Sequence, residues 1–293
     1  MAVIGDVYRA DDLADLLTRV AEADVKPHVL AGGTDLLLRY SAAPEESLEL
    51  IDVTHVDELA GIRETDDGIR IGAAVSLSEV MRSTVIHKHF GVLADGAGSV
   101  AGPQIRNLAT LGGNVCNASP SADTVPPLLV LDAVAEIQSA TIRRNLPLDQ
   151  FFRGPGKTAL EPDEVLVGFS LKYPAPGTVA SYTKVSPRQA MDLAVVGVAV
   201  SLTRSSGGIA ARIALGAVAP TPLRAIAAEE YLNSIRTITA DVAAEAARLA
   251  EAAVSPIDDV RGSAHYRRAM VRSVVARDLL RGNEQLEKDG VIT

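Results

Sequence analysis

The hydrophobic positions change period several times along the chain, and each change marks an element. Leu13, Leu16, Leu17 and Val20 recur at helical spacing behind the candidate caps Asp11 and Asp12, which predicts a short amphipathic helix. The run His28–Leu30 ends in Ala31-Gly32-Gly33, and Leu48–Val53 forms a second apolar run, so strand, glycine turn and strand follow. Asp67-Gly68 separates Ile62 from the alternating Ile69 and Ile71, a hairpin signal. A short helix is expected behind Ser76 or Ser78. The Gly-, Ala- and Asn-rich stretch from Ala94 to Ala122 fits neither a simple helix nor a simple strand. Pro126 and Pro127 suit the first turn of a helix with Ser121 or Asp123 as cap, and Val165–Val167 is a further strand.

Pro174, Pro176 and Gly177 form a plausible hinge. Beyond it, Leu193–Leu202 and Ile209–Val218 flank Ser205-Ser206-Gly207-Gly208 as a long hairpin, and alanine-rich helical patterns cover 225–232, 241–253 and 264–280. Arg277 and Arg281 suit the negative end of the last helix. Three blocks result, 1–58, 59–176 and 177–293. A length of 293 residues exceeds the roughly 250 at which single cores stop growing, in keeping with more than one domain.

Composition narrows the function. With 28 Lys plus Arg against 37 Asp plus Glu, the net charge is −9, which argues against a nucleic-acid partner. The acidic start, with Asp6, Asp11, Asp12 and Asp15, does not read as a signal peptide. The apolar run Leu193–Val200 falls far short of the about 20 residues a membrane span needs. Cys116 is the single cysteine. It permits no intramolecular disulfide and cannot hold zinc or an iron–sulfur cluster, so no metal site is expected, and a reducing, cytoplasmic setting fits.

Two glycine pairs are the candidate chemistry. In Ala31-Gly32-Gly33-Thr34-Asp35-Leu36 the missing side chains let backbone N–H groups approach a phosphate, with the Thr34 hydroxyl beside them. A tight turn needing positive φ explains the same glycines. Thr110, Gly112, Gly113 and Asn114 lie in a small, polar setting that runs on to Ser119 and Asp123, where hydrogen-bonding groups surround room for an elongated ligand. Other motifs fail. Gly154-Pro155-Gly156-Lys157-Thr158 ends like a Walker A loop, but Phe151 stands where that loop requires glycine. Gly96, Gly98 and Gly102 are one residue out of register for a dinucleotide fingerprint. His87 and His89 have no further ligand nearby, and Asp258-Asp259 before Arg261 reads as an ion cluster at a helix approach. No residue is assigned a catalytic role.

AGGTDLLLR at 31–39 and ATLGGNVCNASPSADTVPPLLVLDA at 109–133 closely resemble the FAD-binding medium subunit of the molybdenum hydroxylases, the xanthine dehydrogenase and carbon monoxide dehydrogenase type. Segments at 151–171, 181–202, 212–232 and 255–268 continue the resemblance in the same order. It implies an α+β fold, with a two-part FAD-binding region of vanillyl-alcohol oxidase type followed by a C-terminal α+β domain. It implies that both glycine loops wrap the FAD pyrophosphate and that Asp123 contacts the cofactor. It further implies that Leu166 lies near the isoalloxazine and that Lys184 is a basic group close to it, in place of the surface lysine that Lys184 would otherwise be. At Val100, where some relatives stack an aromatic on the flavin, valine would only pack. The loop 185–192 corresponds to the segment where an external acceptor approaches.

The resemblance also implies partners, a large molybdopterin subunit and a small subunit with two [2Fe–2S] clusters, arranged as a dimer of heterotrimers. This chain would then pass electrons from those clusters to an external acceptor. The lone cysteine fits that division and excludes the additional cluster that some relatives carry on the flavin subunit. The rival is a stand-alone FAD-binding protein or a non-redox nucleotide-binding module of the same fold.

Overall fold

The structure, a computed structural model, describes residues 4–23, 25–41, 48–188, 191–205 and 207–289. Strands β1 (Ile4–Arg9), β2 (His28–Leu30) and β3 (Leu48–Asp52) form a parallel sheet in the order β1-β3-β2. Helix α1 (Leu13–Glu22) buries Leu16, Leu17 and Val20 against it, and Asp12 caps it by accepting the Asp15 N–H at 2.8 Å. Strand β1 is absent from the sequence reading because Ile4, Val7 and Tyr8 do not alternate. Helix α2 (Leu36–Ser41) starts directly after the first glycine loop.

Strands β4 (Ile62–Glu64), β5 (Gly68–Gly72), β6 (Val134–Gln138), β7 (Arg143–Pro147), the two-stranded ribbon β8 (Phe152–Gly154) and β9 (Lys157–Thr158), and β10 (Val165–Lys172) come next. Five of them make an antiparallel sheet, β4-β5-β10-β6-β7. The Walker-like segment supplies the turn of the ribbon, Pro155-Gly156, and the strand ends beside it. Strand β10 faces two cores. Val165 and Val167 join the cluster of α1 and β3, while Leu166, Phe169 and Leu171 join the large central cluster. Strict alternation would put Leu166 and Phe169 on opposite faces. A register irregularity between Leu166 and Gly168 switches the parity and turns both into the same core.

Short helices α3 (Leu77–Arg82) and α4 (Thr84–His89) lead into the Gly- and Ala-rich stretch, which resolves into the end of α5 (Gly91–Gly98), α6 (Pro103–Leu108) and α7 (Leu111–Cys116), and α8 (Val125–Val130) follows. The stretch is neither a simple helix nor a simple strand, as expected, but its pieces are helical. Glycine lowers helix propensity, but each piece is only about two turns long and is held by packing. The cap of α8 is Thr124, which makes no side-chain cap bond, and neither Ser121 nor Asp123 serves. Asp123 is engaged elsewhere.

Strands β11 (Thr178–Val185), β12 (Val196–Ser205), β13 (Gly208–Gly216) and β14 (Leu223–Arg224) form an antiparallel sheet in chain order. Helices α9 (Ile226–Asn233), α10 (Ala240–Ala252) and α11 (Ala264–Asp289) pack on it around a third core, with Val198, Ile213, Ala246 and Leu279 inside. Ser206, at the expected turn, lies outside the described residues. Arg277 and Arg281 sit inside α11, which runs eight residues past Arg281, so they do not mark its end. Arg277 instead donates to Asp278 and to the Thr183 hydroxyl.

Candidate functional site

The two glycine loops touch. A Cβ on Gly32 would stand 2.0 Å from the Leu108 carbonyl oxygen, so only glycine lets the first loop lie against the residues leading into the second. Gly112 has the same reason to lack a side chain, since its Cβ would be 2.6 Å from the Ala73 carbonyl. Gly33 adopts φ +66°, a left-handed conformation that favours glycine. Beyond the loops, Arg39 on α2 donates to Asn117 Oδ1 at 2.6 Å and ties the helices that follow each of them.

The loops differ in what they leave for a ligand. Among the described residues, the N–H groups of Gly32, Gly33, Thr34 and Asp35 donate to no protein acceptor. Four successive free donors at the start of α2 suit an anion. Asp35 itself is exposed, Ala31 packs on the first core, and Leu36 opens the helix. In the second loop the amides are spent. Leu111 N–H donates to Val75, Gly112 to Ala73, Gly113 to the Thr110 hydroxyl and Asn114 to the Thr110 carbonyl. That loop offers the Thr110 hydroxyl hydrogen, the Asn114 amide NH2 and an uncovered Gly113. Asn114 is aimed by Thr124, whose hydroxyl donates to its Oδ1 at 2.6 Å.

One residue further back, Asp123 is 5% exposed. Its Oδ1 accepts from the Tyr182 hydroxyl at 2.7 Å, and its Oδ2 accepts from Lys184 Nζ at 2.7 Å. Lys184 also donates to the Ser99 carbonyl at 2.8 Å. Burial lifts the Asp123 carboxyl above the usual carboxylate range, with Lys184 and Tyr182 opposing it, and burial beside that carboxylate pushes the Tyr182 phenol well up. Lys184, with its side chain 12% exposed, is no surface lysine. Its edge opens on a cleft of about 630 Å³ lined by Ser99, Gly102, Arg106, Lys184, Arg188 and Asp192. Arg106 Nη1 donates to the carbonyls of Gly98, Val100 and Ala101 and so holds the wall of that cleft in shape, Ala101 having φ +41°.

Direct contacts join the first loop to Leu108, Asn114 to Thr124, Asp123 to Lys184, and Lys184 to Ser99. Leu166 stands outside these contacts, 5% exposed in the central core. Val100 packs on the same core. Tyr182, Arg39 and Arg106 were not singled out from the sequence. Tyr182 alone carried a signal, two residues from Lys184 and hence on the same strand face. His87 meets the Met81 carbonyl and His89 lies against Tyr173, ring centroids 4.8 Å apart and tilted by 59°, which accounts for both histidines structurally. Asp259 pairs with Arg261 and Arg267, as expected of an ion cluster.

The donors fit a dinucleotide with a charged pyrophosphate: free amides on one wall, hydroxyl and amide groups on the other, and a cation further along. Comparison with known proteins identifies the lineage. Residues 3–174 match the family described as the FAD binding domain in molybdopterin dehydrogenase, and residues 181–281 match the CO dehydrogenase flavoprotein C-terminal domain. The chain is 38% identical over 226 residues to the xanthine dehydrogenase FAD-binding subunit of Escherichia coli O157:H7, covering 76% of this chain and 77% of that one. It is 35% identical over 256 residues to the carbon monoxide dehydrogenase medium chain of Hydrogenophaga pseudoflava, covering 86% and 87%. A solved carbon monoxide dehydrogenase from the same organism superposes with a TM-score of 0.93 at 31% identity, over 97% of this chain and 99% of that one. The chain thus belongs to the FAD-binding subunits of the molybdopterin dehydrogenases, the molybdenum hydroxylases.

Proposed function

We propose that this chain holds one FAD non-covalently, takes electrons from [2Fe–2S] clusters on a small partner subunit and passes them to an external acceptor. A large partner carries molybdopterin and oxidises the organic substrate, and the assembly is a dimer of heterotrimers in the cytoplasm. The observation that carries this reading is the row of free amides at Gly32–Asp35, pinned by the Gly32–Leu108 approach beside Thr110, Gly113 and Asn114. Gly32 and Gly112 serve by letting backbones meet. Gly33, Thr34, Asp35, Thr110 and Asn114 supply the polar contacts to the pyrophosphate, and Gly113 leaves the space.

When bound, FAD supplies a two-electron carrier able to exchange electrons one at a time. Lys184 presents its ammonium at the edge of the cleft, where positive charge favours the reduced, anionic cofactor. Asp123 holds that ammonium in place, and Leu166 contributes apolar wall from the core. Arg106 shapes the 98–102 wall, and Arg188 with Asp192 orders the opposite rim where the acceptor approaches.

The stand-alone alternative is weakened because the relatives named as subunits or medium chains align along most of this chain's length. The test is to purify the chain from its own cells. A larger and a smaller partner should accompany it with a flavin spectrum and iron absorption, and acid should release all the flavin. A chain that purifies alone and colourless overturns the reading.

A further inference from the structure

Tyr182 and Lys184 lie two residues apart on β11 and therefore share a face. Each takes a different oxygen of the same buried carboxylate, Asp123 Oδ1 and Oδ2, both at 2.7 Å. The phenol reaches that oxygen by lying across β12 at Gly197, which is paired with Lys184 in the strand register. A Cβ on Gly197 would stand 2.9 Å from the Tyr182 hydroxyl and 3.4 Å from Cε2, so a bare strand position is what gives the ring its path. Among the described residues, the remaining neighbours of Asp123 carry no compensating cation. The Ser99 carbonyl faces Lys184 from the end of α5, Ser119, Ser121 and Thr124 lie on Asp123's own segment, and Asn114 reaches it only through Thr124. Across the cleft stand Arg106 and the paired Arg188 and Asp192, where Arg188 first, and Lys184 after it, hold the Asp192 carboxyl below the usual range.

Building on the flavin reading above, we propose that Tyr182 is the positioning residue for the cleft-edge cation: its hydroxyl holds Asp123 as a carboxylate turned so that Oδ2 anchors Lys184, which keeps the ion pair, rather than a lone charge, beside the cofactor. Lys184 and Asp123 touch the site, and Tyr182 acts through them. Without the hydroxyl, the buried carboxyl loses a hydrogen bond to its charged form and takes up a proton at higher pH. Once Asp123 is neutral, the Lys184 ammonium is no longer balanced.

The sign follows for two measurements on Tyr182→Phe in the flavin-loaded chain. Above the range in which Asp123 titrates, variant and wild type carry the same charge beside the flavin and their midpoint potentials agree. As pH falls, Asp123 is protonated earlier in the variant, and its potential rises above that of wild type until both are protonated. The second measurement is the melting temperature. The variant's deficit should be largest where Asp123 is ionised and should shrink as pH falls, because only the ionised form depends on the hydroxyl. In an Asp123→Asn background, Tyr182→Phe should shift the potential at no pH. A potential difference that is zero or constant at every pH overturns the proposal while the flavin reading stands, and so does an equal shift in the Asp123→Asn background or a pH-independent melting deficit. Wild-type chain that takes up no FAD overturns the flavin reading, and the proposal falls with it.

Discussion

The Leu108 carbonyl oxygen occupies the place where a Gly32 side chain would begin, 2.0 Å from its ideal Cβ. Two glycine loops separated by about eighty residues are therefore held close by backbone contact, Gly32 lying against Leu108 and Ala109 just ahead of the second loop. That contact is made by the chain's own backbone, with no side chain between the two segments.

Gly32→Ala should thus damage fold and site together. The methyl group has rigid backbone in its way, and overpacking of this kind costs on the order of 1–3 kcal/mol. Gly113→Ala should behave differently, since its Cβ meets only the Thr110 hydroxyl, at 2.8 Å. Its stability loss should not exceed that of a lost helix cap, about 1 kcal/mol, while flavin content drops. Thermal melting and the flavin-to-protein ratio check both variants. A Gly32→Ala protein as stable as wild type would show that the loops are not pinned.

The contrast between these glycines also shows what the sequence could convey. Helix α1, the long hairpin of β12 and β13 and the C-terminal helices were legible because their periodicity and turn residues are local. The glycine pairs were legible as a site, but not the division of labour inside them, because Gly32 is explained by Leu108 and Gly112 by Ala73, contacts that no local pattern encodes. Lys184 looks like any surface lysine until Asp123, 61 residues earlier, is seen 2.7 Å away. The short helices α5–α7 escaped because their glycines argue against helix locally and tertiary packing overrides that preference.

Lys184→Met should lower the flavin midpoint potential and also destabilise the chain. The pair is nearly buried, at 12% and 6% side-chain exposure, and removing one partner of such a pair costs about 3–5 kcal/mol because the other charge is left alone. Adding Asp123→Asn should restore much of the stability without restoring the potential. Dye-coupled redox titration and thermal melting separate the two effects. An unchanged potential in Lys184→Met would confine this lysine to a structural role.

Cys116 should be slow to react in the folded chain. It is half-buried against the central core, and burial pushes its thiol up to about 12, so at neutral pH almost none is the thiolate that reacts with disulfide reagents. The thiol should therefore react slowly in the native protein and fully on unfolding in denaturant, and flavin content should survive brief reagent treatment of the native protein. Rapid modification at pH 7 with native melting retained would contradict this placement.

At acidic pH, Asp259 should contribute to unfolding. Hydrogen bonds from Arg261, then Arg267, hold its carboxyl below the usual range in spite of some burial. Arg267, itself 2% exposed, also donates to the carbonyls of Val195 and Ala217. A carboxyl lowered on folding stabilises above its unfolded value, near 3.8, and that contribution disappears as pH falls toward the folded value. Asp259→Asn should lower the melting temperature at pH 7 and narrow its gap to wild type below about pH 3.8. A gap independent of pH would mean that the carboxylate charge does not matter.

The division of redox centres among subunits predicts how many electrons this chain accepts by itself. A [2Fe–2S] cluster takes four protein ligands, cysteines for the most part, and this sequence has one cysteine in 293 residues. The isolated, flavin-loaded chain has FAD as its one carrier. Anaerobic titration with dithionite should consume two electrons per bound flavin and then stop, with all absorbance changes belonging to the flavin. The same titration of the intact complex should consume more, in proportion to the iron measured in that sample. If the isolated chain took up electrons beyond two per flavin, it would hold a centre of its own, and its role as the receiver of electrons from partner clusters would have to be redrawn.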